Sequence, residues 1–400
     1  MNGGASTRRL SELTQKITDG SHNPPKGIQD SKYLMLSSKN IFDDDINYSN
    51  PRFLSAEHFS QENKRTAIKP GDVLLTIVGT IGRCAIVPPE IPQFTLQRSV
   101  AVIRPDREVL LSRFLMYTFM WRNADLNEQA RGVAQKGIYL EALRDLEIDT
   151  PPILEQQRLV DILDRAFEGI ATAKAHAEKN LQNARALFTT GVHAAFSNHD
   201  GWEEKSLGDI AQVKGGKRVP KGYKLLSEAT PFPYIRVTDF NDFGSIDLDD
   251  LRYVSAAVHK QIRNYVIYSS DMYLSIAGTI GKTGIIPKEL DGAQLTENAC
   301  RLVFKPGINN RFVYYFTTTQ SFVEQAGFNT RTAAQPKLAL SRLSTIRLGI
   351  PSFAVQESLV ETFDNLREET RHLESLYQSK VKALDKLRKS LLHQAFTGQL

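Results

Sequence analysis

The feature that most constrains this chain is a long helical pattern that occurs twice, with the two copies two hundred positions apart. The first copy covers residues 153–196, and the second starts after Pro351. Eight residues of the first copy (156, 159, 160, 164, 187, 193, 195 and 196) recur as Gln356, Leu359, Val360, Asp364, Leu387, His393, Ala395 and Phe396. A repeat of this kind predicts two similar units, each ending in the same type of helix.

Within both copies the apolar residues alternate between gaps of three and four, which is typical of the contact stripe of a coiled coil. The first stripe comprises Val160, Leu163, Phe167, Ile170, Ala177, Leu181, Ala184 and Phe188, with Lys174 as a polar member. The second comprises Leu359, Phe363, Leu366, Leu373, Leu384, Leu387 and Leu391, with Thr370, Tyr377 and Lys380 in the remaining places. Helices of this length span about 66 Å at about 1.5 Å per residue. We therefore expect them to separate two globular units.

The sequence before each helix also repeats. The strongest match joins residues 71–88 to residues 270–287, where an identical Gly-Thr-Ile-Gly lies between two strand-like runs. Shorter matches join 10–15 to 207–212, 25–27 to 220–222, 33–36 to 234–237, and Arg113, Phe114 and Tyr117 to Arg311, Phe312 and Tyr315. The last strand of each half ends at Pro151 or Pro351, and residues 206–209 offer a helix capping box. We predict an α+β fold with globular domains at 1–152 and 198–352, and long antiparallel helices at 153–197 and 353–400.

Composition sets broad limits on the function. A net charge of +5 at pH 7 favours an acidic partner such as nucleic acid, although the excess is mild for 400 residues. Cys84 and Cys300 lie in different halves without metal-like spacing, which predicts buried free thiols in a reducing compartment. No apolar signal segment or long apolar run occurs. We expect a cytoplasmic protein.

Two motifs suggest enzymes, but neither is complete. Asn23-Pro-Pro-Lys26 is similar to the motif with which amino-methyltransferases hold a target base, yet Lys26 stands where an aromatic ring should stack. No glycine-rich loop for S-adenosylmethionine follows a strand. Residues 276–283 are similar to a phosphate-binding loop, but Ile276 replaces its first glycine. The Gly-Thr-Ile-Gly segments are better interpreted as tight turns with positive φ, and the sequence leaves open whether they also contact DNA.

The remaining polar residues form no convincing active site. His22 and His259 lack partners at ligand or triad spacing, and His193 and His393 indicate a packing or helix-end role. The carboxylates at 43–45 and 249–250 fit solvated loops. We expect no catalytic residue, no metal site and no cofactor.

Basic residues in loop-like stretches are the candidate DNA contacts, because Arg and Lys bind phosphates and can read guanine edges. In the first half they are Lys26, Lys39, Arg83, Arg98, Arg131 and Lys136. In the second half they are Lys217, Arg218, Lys221, Arg236, Lys282, Arg331 and Lys337. Any single one is more often only a surface charge.

Taken in order, these features resemble the specificity subunits of type I restriction-modification systems. The segments that carry the resemblance are residues 155–158 (EQQR), 355–358 (VQES), the two Gly-Thr-Ile-Gly copies, 220–223 (PKGY), 234–240 (YIRVTDF) and 392–398 (LHQAFTG). No single motif is decisive, but the ordered combination is specific and covers essentially the whole chain.

The resemblance implies two target-recognition domains, each reading one half of a split DNA site. It also implies that the two helices pair antiparallel, set the spacer and dock the modification subunits. The expected partners are double-stranded DNA, two copies of a DNA methyltransferase (modification) subunit and a restriction subunit, with no membrane. Methylation and cleavage then belong to those subunits, and this chain is not itself an enzyme.

Two other interpretations stay open. A self-sufficient DNA methyltransferase would transfer methyl groups from S-adenosylmethionine to DNA without any partner. A coiled-coil scaffold with two heads for another ligand would lack salt-sensitive DNA affinity even with its partner subunits present.

Overall fold

The computed structural model describes residues 6–130, 137–197, 201–327 and 338–400. The chain divides into two compact units, Met1–Ala177 with Ser379–Leu400, and Glu178–Gln378. Each unit therefore combines one globular domain with a segment of each long helix.

The first domain mixes short strands with short helices, and the first long helix follows it. The strands are β1 (Ser6–Arg9), β2 (Thr14–Asp19), β3 (Tyr33–Leu36), β4 (Ile41–Phe42), β5 (Asp45–Ile46), β6 (Arg52–Leu54), β7 (Val73–Thr76), β8 (Cys84–Ile86), β9 (Gln93–Leu96), β10 (Val100–Pro105) and β11 (Glu147–Thr150). The helices are α1 (Ala56–Thr66), α2 (Ser112–Trp121), α3 (Asn123–Gln129), α4 (Leu140–Arg144) and the long α5 (Ile153–Ser197).

The second domain has the same plan and is followed by the second long helix. Its strands are β12 (Glu203–Ser206), β13 (Ala211–Gly215), β14 (Pro233–Ile235), β15 (Arg252–Tyr253), β16 (Val266–Ile267), β17 (Met272–Ser275), β18 (Thr283–Gly284), β19 (Ala293–Leu295), β20 (Ala299–Phe304) and β21 (Arg347–Ile350). Its helices are α6 (Leu207–Ile210), α7 (Ala256–Ile262), α8 (Asn310–Thr317), α9 (Gln320–Ala326), α10 (Leu340–Ser344) and the long α11 (Phe353–Phe396).

An antiparallel sheet with the strand order β2-β10-β7-β8 forms the centre of the first domain. Successive side chains of a strand point to opposite faces of the sheet. Accordingly, Leu75 packs in the core that contains Phe114 of α2, whereas Leu74 packs in a second core with Phe94 of β9. Strand β9 pairs in parallel with β3, which pairs antiparallel with β6. The central sheet therefore lies between helices and a smaller sheet.

The central sheet of the second domain has the order β13-β20-β17-β18, which is the same order of equivalent strands. Leu274 packs with Phe312 of α8, and Tyr273 packs on the opposite face with Leu295 of β19. Strand β19 pairs in parallel with β14, as the equivalent strands β9 and β3 do in the first domain. The predicted internal repeat and α+β fold class are confirmed.

Both Gly-Thr-Ile-Gly segments form tight turns at the ends of equivalent hairpins. The glycines have φ values of 86° at Gly79, 88° at Gly82, 75° at Gly278 and 93° at Gly281. The hydroxyl of Thr76 accepts a hydrogen bond from the backbone N–H of Arg83 at 2.9 Å, and that of Ser275 accepts one from Lys282 at 2.8 Å. The predicted positive φ at these glycines is confirmed, because the turn requires a conformation that L side chains disfavour.

The two helical patterns form the continuous helices α5 and α11, and the stripe of α5 is buried or half-buried throughout. The stripe of α11 departs from the prediction near its end, since Lys380 and Leu387 are exposed. Val381 and Arg388 are half-buried instead. The stripe therefore continues from Tyr377 to Val381, a gap of four residues, and not to Lys380, a gap of three. This gap follows directly on the gap of four between Leu373 and Tyr377. A strict seven-residue repeat drifts around a helix of 3.6 residues per turn. Two successive gaps of four correct this drift and return the apolar stripe to the face that meets the other long helix.

Within each unit the segments of the two long helices run antiparallel. The contacts are Arg158–Leu400 and Lys174–Asp385 in the first unit, and Gly191–Leu366 and Arg185–Glu374 in the second. Early positions of one segment thus meet late positions of the other. Among the described residues, no helix combines the length and the apolar character needed to cross a membrane.

Two local predictions are also confirmed. The backbone N–H of Ser206 donates to the Asp209 carboxylate at 2.9 Å, and the Ser206 hydroxyl accepts from the Asp209 N–H at 3.2 Å, which completes the capping box. Cys84 and Cys300 are free and buried. Burial raises the pKa of the Cys84 thiol well above its ordinary value and that of Cys300 to about 12.

Candidate nucleic-acid interface

Each long helix is attached to its domain by a buried glutamine in its first turn. Gln156 has an exposed fraction of 0%. Its side-chain oxygen accepts a hydrogen bond from the backbone N–H of Leu111 at 2.9 Å, and its amide nitrogen donates to the carbonyl oxygens of Val109 and Pro151, each at 2.8 Å. One side chain therefore joins α5, the loop before α2 and the end of β11.

Gln356 makes the same three bonds in the second domain. Its oxygen accepts from the N–H of Asn309 at 2.9 Å, and its nitrogen donates to the carbonyl oxygens of Gly307 at 3.1 Å and Pro351 at 3.0 Å. This attachment is therefore a property of the repeat, and it does not depend on the loops in which the halves differ.

A second shared attachment lies about two turns further along each helix. Asp164 accepts a hydrogen bond from the Tyr117 hydroxyl and one from the Arg113 guanidinium at 2.8 Å. The pKa of the Tyr117 hydroxyl is raised well above its ordinary value. Burial is the main cause, and the hydrogen bond to Asp164 is the second. Arg113 also binds Asp44 at 2.6 Å, so the first acidic loop is ion-paired and not merely solvated as predicted.

The second domain repeats this arrangement as well. Asp364 accepts a hydrogen bond from the Tyr315 hydroxyl and one from Arg311 at 2.5 Å. Burial, and secondarily the bond to Asp364, raise the pKa of Tyr315 to about 12. The tyrosine, arginine and aspartate of this attachment were all matched between the halves by sequence, but their mutual contact was not predicted.

The predicted DNA contacts of the first domain occupy different settings. Lys26, Lys39 and Arg98 are exposed, whereas Arg83 is half-buried and its guanidinium lies 5.1 Å from the ring centre of Phe42. Of the predicted residues that the structure describes, only Arg98 lines the pocket formed with His22, Arg65 and Tyr139. The predicted contacts Arg131, Lys136, Arg331 and Lys337 lie outside the described residues.

Three predicted residues of the second domain share one loop. Lys217, Arg218 and Lys221 follow β13 and are all exposed. The ammonium group of Lys217 lies 5.5 Å from the ring centre of Tyr265. Arg218 binds Glu297 at 2.5 Å and keeps a side-chain exposure of 79%. Partial burial is the largest single influence on the pKa of Glu297 and raises it, but the hydrogen bonds from Arg218, the backbone and Thr296, together with the charge of Arg218, outweigh burial and hold the pKa below its ordinary value.

The other two described candidates are already bound by carboxylates. Arg236 binds the buried Asp239 at 2.6 Å and Asp250 at 3.2 Å. Lys282 donates to the carbonyl oxygen of Phe240 at 2.9 Å and binds Asp242 at 3.0 Å. These contacts stabilise loops and occupy the charges, so a DNA contact by either residue stays a prediction.

Sequence reasoning missed a polar cluster in the first domain. Asp19, whose side chain is only 7% exposed, binds the ring of His22 at 2.7 Å and the guanidinium of Arg65. His22 and Arg65 line an open pocket of about 320 Å³ together with Arg98 and Tyr139. Asp19 and Arg65 are 46 positions apart, and no local pattern links them. In the ranges that the structure describes, no group of three or more His, Cys, Asp or Glu side chains could hold a metal ion.

The duplicated plan of one α+β domain followed by one long helix defines a two-domain protein with an internal repeat. The sequence model of the type I restriction modification DNA specificity domain matches residues 28–182 and again residues 199–382. The chain therefore belongs to this family and contains two copies of its domain.

Individual relatives agree with the family match. The chain is 21% identical over 342 residues to the type I restriction enzyme EcoBI specificity subunit of Escherichia coli, covering 76% of this chain and 69% of that one. It is 22% identical over 372 residues to the MjaVIII specificity subunit of Methanocaldococcus jannaschii, covering 84% and 81%.

Two solved structures share the fold. One is a chain from a study of complex assembly and conformational transition of the type I restriction-modification system, with a TM-score of 0.78, 16% identity and coverage of 100% of this chain and 99% of that chain. The other is the HsdS subunit from Thermoanaerobacter tengcongensis, with a TM-score of 0.63, 17% identity and coverage of 100% and 98%.

Proposed function

We propose that this chain is the non-catalytic subunit that gives a type I restriction-modification complex its DNA specificity. The observation that carries the proposal is the repeated attachment of helix to domain. Gln156 and Gln356 make the same three bonds, and the Asp164 and Asp364 contacts are also repeated. Two equivalent frames thus present different loops, which suits a protein that reads two different half-sites.

Each target-recognition domain, residues 1–152 and 198–352, reads one half of a bipartite site in double-stranded DNA. Exposed cations such as Lys26 and Arg98 in the first domain, and Lys217 and Lys221 in the second, support DNA contact. Cations on loops bind phosphates and, where they reach a groove, base edges. The helices, residues 153–197 and 353–400, set the distance between the two half-sites.

The same helices dock the methyltransferase (modification) subunits, which in turn work with a restriction subunit in the cytoplasm. Large apolar side chains stay exposed on the helices: Leu187 at 51%, Leu376 at 52% and Leu387 at 46%. Leu187 and Leu387 occupy equivalent places of the repeat. Equivalent apolar side chains on both copies support docking of two methyltransferase subunits by one chain. Catalysis then resides in the partners, and this chain needs no cofactor.

A methylation map tests the proposal. The chain would be expressed with its methyltransferase subunit in a host that lacks DNA methylation, and methylated bases would be read by long-read sequencing. We expect one asymmetric two-part motif that disappears when this chain is omitted. Methylation by the purified chain alone would indicate a self-sufficient methyltransferase. An absence of methylation, together with salt-insensitive binding or no binding of DNA by the complex, would overturn the proposal.

Exchange of one domain makes the test sharper. Replacing residues 1–152 with the corresponding region of a relative should change one half of the motif and leave the other half and the spacer unchanged. The matched control exchanges residues 198–352 and should have the reciprocal effect. A change in both halves after a single exchange would contradict independent reading by the two domains.

A further inference from the structure

One position near the Gly-Thr-Ile-Gly turn has the same backbone frame in both domains. In the first domain the N–H of Ser21 donates to the carbonyl of Leu96 at 2.8 Å, and in the second the N–H of Lys217 donates to that of Leu295 at 2.8 Å. The carbonyls of Ser99 and Asn298 likewise accept from Ile77 and Ile276 at 2.9 and 2.8 Å. Residue 98 therefore corresponds to residue 297, and residue 22 corresponds to residue 218.

A glycine fixes this frame in each domain. A Cβ atom on Gly20 would lie 2.1 Å from the carbonyl oxygen of Leu96, and one on Gly216 would lie 2.0 Å from that of Thr296. No side chain fits there, so the turn after the first strand of the central sheet is held against the turn before its central strand. The side chains at 98 and 297 are thus presented from the same place on two equivalent scaffolds.

The side chains at positions 98 and 297 carry opposite charges in the two domains. The first domain has Arg98 and the second has Glu297, which is bound by Arg218. In the first domain His22 and Arg65 both bind Asp19. Within the described part of the chain, the Arg98 guanidinium has no hydrogen-bonding or ionic partner.

This inversion distinguishes base contact from phosphate contact. The DNA backbone carries negative charge at every position, so a phosphate contact favours a cation or a neutral donor in both domains and disfavours the carboxylate of Glu297. Base edges differ in their donors and acceptors, and a contact with them can use a cation in one domain and a carboxylate in the other. An exposed tyrosine, Tyr139 at 68%, and apolar side chains including Val78 also line the pocket beside Arg98. A mixed aromatic and apolar wall suits a base better than a phosphate.

We propose that the equivalent positions 98 and 297 determine base specificity, and that Arg98 donates to the two acceptors of a guanine in the half-site of the first domain. Arginine matches guanine N7 and O6 with two parallel hydrogen bonds. Glu297, an acceptor, cannot make this contact, so the two domains require different bases at the corresponding place. This inference rests on the proposed function and names a residue that performs it.

The test is a methylation map of the full chain with its methyltransferase subunit, comparing the native chain with Arg98→Gln and with the control Lys64→Gln. Glutamine pairs with adenine through N6 and N7. We expect Arg98→Gln to lower methylation at sites with one particular guanine at least tenfold and to raise it where adenine replaces that guanine. The other half-site should stay unchanged. Lys64→Gln removes an equal charge from the exposed face of α1 in the same domain, at a residue that is not a candidate DNA contact, and should leave the motif intact.

The possible results separate this inference from the proposed function. If Arg98→Gln methylates the native motif to the native extent, or loses methylation evenly at every permitted base, the base contact is overturned and the proposed function stands. If the native chain gives no two-part motif, the proposed function itself fails. Arg98 is exposed and has no side-chain partner among the described residues, and equal thermal unfolding of the variant and the native chain establishes that the fold is intact.

Discussion

The side-chain oxygen of Gln156 lies 2.9 Å from the backbone nitrogen of Leu111, and the equivalent atoms of Gln356 and Asn309 are also 2.9 Å apart. Both glutamines are fully buried. Each satisfies one backbone donor and two backbone acceptors where the helix meets its domain. The contact between helix and domain is therefore specified by hydrogen bonding as well as by apolar packing.

Replacement of this glutamine should be costly. Gln156→Leu keeps the volume but leaves three backbone groups without their partner, and each buried unpaired group costs about 1–3 kcal/mol. We expect the free energy of unfolding to fall by about 3 kcal/mol, measured by urea denaturation. The control is Gln157→Leu at the next, exposed position, for which we expect a change within about 0.5 kcal/mol. Equal effects of the two variants would contradict the role of Gln156.

The tyrosine that binds Asp364 should make stability depend on pH in the alkaline range. Folding raises the pKa of Tyr315 from 10.0 to about 12. A raised pKa means that the folded state binds the proton more tightly, so this contribution is fully present below pH 10 and is lost as the pH rises to about 12. The native chain should lose more unfolding free energy in this window than Tyr315→Phe does. At neutral pH the variant should be less stable by about 1.5 kcal/mol, because its hydrogen bond to a carboxylate is absent.

Two glycines within α5 should respond differently to alanine. A Cβ on Gly169 meets nothing within 4 Å, whereas one on Gly191 would lie 2.7 Å from a methyl group of Leu366. Alanine is favoured over glycine in helices by about 0.8–1 kcal/mol. We expect Gly169→Ala to raise the midpoint of thermal unfolding, and Gly191→Ala to raise it less or to lower it, since Leu366 must move. Identical shifts would mean that Gly191 is not in close contact with its neighbour.

A phosphate contact should be visible in the salt dependence of DNA binding. Lys221 is exposed on the basic loop after β13, and each neutralised phosphate contributes about 0.9 to the slope of log affinity against log salt. Lys221→Gln should reduce this slope by about one for all DNA sequences alike. Binding is measured with the assembled complex, and Lys221→Arg serves as the charge-preserving control. A change in the recognised motif would instead assign Lys221 to base reading.

The sequence predicted the repeated features because they are local or because they recur. Residues 206–209 carry their capping box within four positions, and the turn glycines Gly79 and Gly278 occur in identical segments. The end of the α11 stripe was predicted wrongly at Lys380, since an alternation of gaps does not show where a helix inserts an extra residue to correct its drift.

The candidate site was less accessible to sequence reasoning for two physical reasons. The contact between Asp19 and Arg65 joins positions that only the fold brings together. Conversely, Arg236 and Lys282 looked free in sequence, yet carboxylates bind both of them. Charge alone does not show whether a cation is available to a ligand, because that depends on partners contributed by other loops.

The composition of the first unit has a consequence for the order of events during synthesis. Its core includes Leu392 and Ala395, and the ring of Phe396 stacks on Trp121 with centres 5.1 Å apart. These residues leave the ribosome after the whole of Glu178–Gln378 has been made. The second unit, although translated later than the first domain, can therefore complete its core first. The first domain can cover the apolar surface that packs against Leu392, Ala395 and Phe396 only after this part of α11 has been made.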